Sequence, residues 1–213
     1  MEITEASVRE LVEQVLTSLD GRILKGGPEA GARASAASTP VGGGRGVFSD
    51  IDGAVAAARR AQTELMARTL ETRTQMIAAM RQAVGRNLER LADLAVGETS
   101  MGRRSDKVLK NRVAGEMTPG VEDLKPVTFS NDHGLTLVER APYGVVGSIT
   151  PSTNPTETII GNAISMVAAG NSVVFNPHPS AKGVSAFTID FLNQAIVSAG
   201  GPANTLCTVA EPS

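Results

Sequence analysis

Residues 143–181, YGVVGSITPSTNPTETIIGNAISMVAAGNSVVFNPHPSA, restrict the fold more than any other stretch of the chain. Tyr143 to Ile149 is a mostly apolar run of strand length, stopped by Thr150-Pro151-Ser152-Thr153-Asn154-Pro155. Two prolines among hydroxyl side chains cannot continue a buried strand, so the chain turns out there. Pro155 suits the first position of a helix, with Asn154 as its cap. Ile159, Ile160, Ala163, Ile164, Val167 and Ala168 recur at helical spacing, and Gly170-Asn171 ends the run. Ser172 to Phe175 is a short apolar strand broken by Asn176-Pro177-His178-Pro179. The whole reads as a βαβ unit.

A right-handed crossover makes the two strands parallel and brings their carboxyl ends to one edge of the sheet. Both polar loops, Thr150 to Asn154 and Asn176 to Ser180, follow those ends. Ligands of open α/β sheets bind at that edge, and the helix beginning at Pro155 turns its positive end toward it. The expectation is a site for a nucleotide or an anionic intermediate; a purely structural βαβ unit would carry the same pattern.

The strings APYGVVGSITPSTNPTE, SMVAAGNSVVFNPHPSAK and SAGGPANTL resemble the aldehyde dehydrogenase superfamily. The resemblance is greatest to its CoA-acylating branch, the acetaldehyde and propionaldehyde dehydrogenases of bacterial microcompartments, and runs from about Val47 to the end. It implies an α/β fold: the Rossmann-like parallel sheet of the family's N-terminal cofactor-binding domain, incomplete at its C-terminal side. It also implies NAD as cofactor, coenzyme A as co-substrate, a short-chain aldehyde as substrate and a homo-oligomer when full length. The chain is then an N-terminal fragment in which 47–213 is the N-terminal part of the NAD-binding domain; it is inactive by itself, because the family's nucleophilic cysteine belongs to a second, catalytic domain.

Asn154 matches the family's asparagine that donates its side-chain amide to the oxyanion, a role compatible with capping because both place it at the helix's positive end. Ile149, Thr150, Pro151 and Ser152 match the loop under the nicotinamide half of the dinucleotide. Asn176, Pro177, His178 and Pro179 match the strand end that meets the adenosine, and Gly201 and Pro202 complete the cofactor set. Most non-acylating relatives carry lysine where Asn176 stands. Asparagine offers ribose hydroxyls a hydrogen bond but a 2′-phosphate no charge, which favours NAD over NADP, with Lys182 nearby as the opposing consideration. His178 is either an adenine or CoA contact or a rigid loop residue. No GxGxxG is present, so phosphate binding does not follow from a glycine fingerprint.

Cys207, the single cysteine, lies in TLCTV with no basic neighbour in sequence, and reads as a buried structural thiol. One cysteine also excludes an internal disulfide and fits a reducing cytoplasm. A net charge of −2 gives no reason to expect nucleic acid or an anionic membrane surface. No apolar run approaches membrane-spanning length, and no metal-ligand pattern occurs.

Upstream, Val8, Leu11, Val12, Val15, Leu16 and Leu19 form the apolar face of an amphipathic helix over 1–20. Residues 21–46 hold eight glycines with Ala, Ser and Pro, and read as a flexible linker; such a coil spans roughly 25–30 Å. Tether and helix together resemble the peptides that direct enzymes into microcompartments, which implies a shell or cargo protein as partner. Docking on its own domain or a neighbouring subunit is the other reading. The chain could then be a non-enzymatic interaction module, and an unrelated nucleotide-binding α/β protein is a third class.

Between linker and βαβ unit, Asp50 or Ser49 caps a helix carrying Ile51, Val55, Ala58 and Leu65, and further helices are expected over 71–86, 88–101 and 105–117. Arg103, Arg104, Lys107 and Lys110 read as a solvated helix face. Pro126 to Ser130 and Leu135 to Arg140 read as two strands joined across Asn131-Asp132-His133-Gly134, with His133 a turn residue. In the family, strands here help build the subunit interface. After the βαβ unit, Ser180 caps a helix with Val184, Phe187, Phe191, Leu192 and Ile196 inward, and Thr205 to Val209 begins a third strand.

Overall fold

The computed structural model describes residues 46–212. The amphipathic helix over 1–20 and the linker, except for Gly46, lie outside the described residues. In chain order the elements are β1 (Val47–Phe48), α1 (Ile51–Met66), α2 (Leu70–Thr99), α3 (Arg104–Met117), β2 (Val127–Asn131), β3 (Gly134–Val138), β4 (Val145–Thr150), α4 (Pro155–Ala168), β5 (Ser172–Pro177), α5 (Lys182–Ser198) and β6 (Leu206–Val209).

The expected βαβ unit forms, and α5 extends it to β6. The sheet order is β1-β6-β5-β4, with every neighbouring pair parallel. Alternation along the strands divides the core in two. Val173, Phe175 and Leu206 join the cluster built with Ile159, Ile160, Ile164, Ile189, Leu192 and Ile196 of α4 and α5, backed by Met76, Met80 and Leu91 of α2. Val174, Cys207, Val209 and Phe48 face the other way, onto Ala54, Ala57 and Ala58 of α1. Small side chains on α1 let it lie close to the sheet, so its buried face is an alanine face and Ile51 stays half exposed.

Three local expectations change. One helix over Leu70–Thr99 replaces the two expected over 71–86 and 88–101, because Met80, Val84, Leu88 and Leu91 keep one buried stripe across Gly85 and Asn87. Gly46 belongs to the fold, not the linker. Its φ is +87°, its carbonyl accepts from Thr208 N at 2.7 Å, and an added Cβ would sit 2.3 Å from the Leu206 carbonyl oxygen. Ser180 lies in a 3-10 turn, Pro179–Ala181, and does not cap α5. Glu98 at the end of α2 does so instead, accepting from Gly183 N at 2.7 Å and Val184 N at 2.6 Å.

β2 and β3 form a separate antiparallel hairpin turned at Asp132-His133, so His133 is a turn residue as expected. All ten strand residues are exposed, including Val127, Phe129, Leu135, Leu137 and Val138. No helix of the described residues is long and apolar enough to cross a membrane.

Candidate functional site

The register Ile149↔Asn176 and Thr150↔Pro177 ends β4 and β5 at the same level, and His178 N donates to the Thr150 carbonyl at 3.0 Å. The two loops therefore leave the sheet side by side. Between them lies a cleft of about 420 Å³ lined by Ile149, Thr150, Pro151, Asn176, Pro177, His178 and Pro179. The structure thus brings seven of the expected cofactor residues to one place; Ser152 follows on the same loop without lining the cleft. Ile149 is 85% exposed and presents an apolar surface beside polar groups. Thr150 is buried, and its Oγ1 has no hydrogen-bond partner among the described residues. Leaving a buried hydroxyl unpaired costs about 1–3 kcal/mol. A cleft lined by the Asn176 and His178 side chains, with an exposed isoleucine at its mouth, fits a ligand with polar groups and a flat ring.

His178 has an observed structural duty. Its Nδ1 accepts from Ser180 N at 3.2 Å and pairs with Ser180 Oγ at 2.8 Å. That leaves Nε2 as the nitrogen available to a ligand. The helix end beside it is not available to an anion, because the Glu98 carboxylate occupies the N-terminus of α5 where a phosphate would otherwise be held. Gly201 and Pro202 do not join the cleft. They link the end of α5 to the start of β6, at the opposite edge of the sheet, where Gly201 N donates to the Ile196 carbonyl. An added Cβ on Gly201 would meet Ile196 Cγ2 at 2.6 Å and Met76 Sδ at 2.7 Å, so this glycine serves helix packing.

Asn154 precedes Pro155 as expected, but its side chain makes no capping hydrogen bond; its φ of −136° and ψ of 58° direct it elsewhere. Its Oδ1 accepts from Lys110 Nζ at 3.2 Å. The residue lines a second cleft of about 530 Å³ with Leu109, Lys110, Val113, Ala114, Glu157 and Thr158. Leu109 and Val113 are 61% and 50% exposed, so this cleft has an apolar wall from α3. The loop Thr150–Asn154 connects the two clefts.

The basic run is not uniformly solvated. Arg103 pairs with Asp106, and Arg104 with Glu89 and Asp93, on the surface. Lys107 is 2% exposed; its Nζ donates to the Thr153 carbonyl at 2.5 Å and lies 3.4 Å from Glu157 Oε1. At that distance the lysine and glutamate form an ion pair without a well-formed hydrogen bond. Sequence reasoning missed these contacts because each partner lies more than forty residues away.

Cys207 lies on the α1 face of the sheet, wholly buried, and burial pushes its thiol up to about 12. A thiol so placed is not a nucleophile at neutral pH. Among the described residues no cluster of His, Cys, Asp and Glu is arranged to hold a metal ion.

Residues 44–213 match the aldehyde dehydrogenase family. The chain belongs to that family. Among curated aldehyde dehydrogenase relatives, an acetaldehyde dehydrogenase (acetylating) of Salmonella typhimurium is 56% identical over 78% of this chain and 35% of its own length. Among solved structures, the propionaldehyde dehydrogenase of Rhodopseudomonas palustris, with bound CoA and an acylated cysteine, is 48% identical with a TM-score of 0.77. That match covers 79% of this chain and 39% of the other. A propionaldehyde dehydrogenase from the fucose utilisation microcompartment of Clostridium phytofermentans is 47% identical, with the same coverage and TM-score. An engineered glycolyl-CoA reductase holding NADP+ is 46% identical over 84% of this chain and 40% of its own, again at 0.77. The chain thus spans about two fifths or less of the length of these relatives. Of these solved structures, one holds CoA and another NADP+.

Proposed function

We propose that this chain is the cofactor-binding part of an NAD-dependent, CoA-acylating aldehyde dehydrogenase that converts a short-chain aldehyde to its acyl-CoA inside a bacterial microcompartment. The observation that carries the reading is the state of Asn154. Its amide is released from capping, its oxygen is occupied by Lys110, and its Nδ2 has no partner among the described residues. It stands at the positive end of α4, beside an apolar cleft suited to an alkyl chain and one loop away from the dinucleotide cleft.

When a thiolate adds to an aldehyde, the carbonyl oxygen becomes an anion. Asn154 Nδ2 donates to that oxygen, and a donor already in place favours the anion over the neutral carbonyl. The thiolate comes from outside these 213 residues, since Cys207 is sealed in the core. Ile149, Thr150 and Pro151 hold the nicotinamide half, and Asn176 to Pro179 hold the adenosine half. A dinucleotide held there would supply the acceptor for the adduct's hydride, and coenzyme A would be the acceptor of the acyl group. Two features support NAD over NADP. Asn176 carries no charge, and Lys182, the nearby cation, is paired with both carboxylate oxygens of Glu211 at 2.8 and 2.6 Å. The exposed apolar hairpin β2–β3 is the surface we assign to a second copy of the chain, because a two-stranded hairpin is marginal unless something packs on it. The segment 1–20 is assigned as the address to the compartment.

The test is Asn154→Ala and Asn154→Asp in the full-length enzyme. Loss of one oxyanion donor lowers kcat by about 10²–10³-fold. Both variants should show this, with NAD affinity nearly unchanged. An active aspartate variant would remove the oxyanion assignment, since aspartate has no proton to donate at neutral pH.

A further inference from the structure

The two lysines that reach across from α3 have no duty in the reading above, yet both end on the loop that carries Asn154. They are one turn apart, three residues, and so share one side of the helix. Lys107 is buried and ties Thr153 and Glu157, the residue before Asn154 and the third of α4, to α3. Lys110, further along and exposed, reaches Asn154 itself. The far end of α3 is fixed by contact with α2: a Cβ on Gly115 would come within 2.8 Å of Val84 Cγ1, so only glycine allows this approach. The lysines therefore act from a helix whose position is set by packing.

An asparagine amide has two ends of nearly equal shape and opposite chemistry. A lysine ammonium has three donors and no acceptor, so it meets only the Oδ1 end. With Oδ1 held at 3.2 Å from Lys110 Nζ, the Nδ2 donors face away from that ammonium. The hydrogen bond is charge-assisted, which polarises the amide and improves Nδ2 as a donor. We propose that Lys110 is a positioning residue: it turns the Asn154 amide so that Nδ2, and not Oδ1, faces the carbonyl oxygen of the substrate, while Lys107 and Glu157 hold the backbone that bears it. This rests on the reading of Asn154 as the oxyanion donor. Without Lys110 the amide is free to flip, and the flipped amide would set a carbonyl oxygen against the developing anion.

Lys107 is a poor variant to test, because its removal strands a buried carboxylate and unsettles the fold. Lys110 is exposed and its replacement leaves the core intact. In the full-length enzyme, NADH formation from propionaldehyde and CoA is compared for Lys110→Met, Lys110→Arg, Asn154→Ala and the Lys110→Met/Asn154→Ala double variant. Lys110→Met should lower kcat by about ten- to a hundredfold, the range for a hydrogen bond to a charged group, with KM for NAD unchanged. Arginine, which also only donates, should recover most of that loss. In the Asn154→Ala background, Lys110→Met should cost nothing further, because the amide it orients is gone. A Lys110→Met rate within about twofold of wild type, beside an Asn154→Ala rate lowered by 10² or more, overturns the positioning role and leaves the oxyanion role standing. Equal losses from Lys110→Met in both backgrounds overturn it too. If Asn154→Ala keeps its rate, the reading of Asn154 falls and the role of Lys110 falls with it.

Discussion

Replacing Glu98 by alanine takes away the acceptor for two backbone N–H groups at once, those of Gly183 and Val184. No side chain from α5's own N-terminal flank substitutes for it, since Ala181 precedes the helix and Ser180 makes no cap. Loss of an N-cap acceptor costs about 0.5–2 kcal/mol, and loss of a negative charge from the positive end of a helix about 0.3–1 kcal/mol at low salt. Water reaches this exposed carboxylate and compensates part of the loss, so a total of about 1–2 kcal/mol is the expected effect. For a domain of this size that lowers Tm by about 2–8 °C. Glu98→Gln keeps one oxygen and loses the charge, so it should fall between alanine and wild type. Gly183→Ala approaches the same contact from the other side. Its new Cβ would stand 3.1 Å from Glu98 Oε1 and 3.2 Å from Oε2, so the carboxylate must retreat by a few tenths of an ångström. The assay is thermal and urea unfolding of each variant at low and high salt. A Glu98→Ala Tm unchanged to within about 1 °C would refute the capping argument. So would a glutamine variant less stable than the alanine one.

Two further predictions concern the ends of the chain. Cys207 has its folded-state pKa raised from 9.0 to about 12; below pH 9 both states keep the proton, and above it the unfolded state releases a proton that the folded state retains. Stability should therefore fall with a slope approaching about 1.4 kcal/mol per pH unit between pH 9 and 12, and Cys207→Ala should lose this component when the two are compared by denaturant titration across that range. Residues 1–20 fused to a fluorescent protein should carry it into microcompartments; diffuse fluorescence in cells that assemble shells would remove the targeting proposal.

The βαβ unit was legible because its punctuation is chemical. Pro155 opens α4, Gly170 closes it at a φ of +88°, and Pro177 and Pro179 end β5. The cleft at the ends of β4 and β5 followed, since two parallel strands of equal reach must deliver their loops together. Partnerships made across the chain were not legible. Asn171 looks like a helix terminator, yet its Oδ1 also accepts from Tyr143 N and Gly144 N and so ties the start of β4 to that of β5. Lys107 looks like a surface cation because nothing local says that Thr153 and Glu157 await it. Gly201 looked like a ligand residue from its motif alone, and only packing against Met76 and Ile196 shows what excludes a side chain there. β1, two residues long, has too little pattern to announce a strand.

That short strand has a consequence for how the chain is made. Val47 pairs with Thr208, about 160 residues later, so among the described strands the first synthesised is joined by the last. At about 5–20 residues per second on the ribosome, β1 waits roughly 10–30 s with its backbone unpaired. Helix α2 and the β4–α4–β5 unit are complete earlier, from contacts between near neighbours in sequence, which form fast. Among the described strands, β1 can dock only after β6 has been made, whereas β4 and β5 can pair before it.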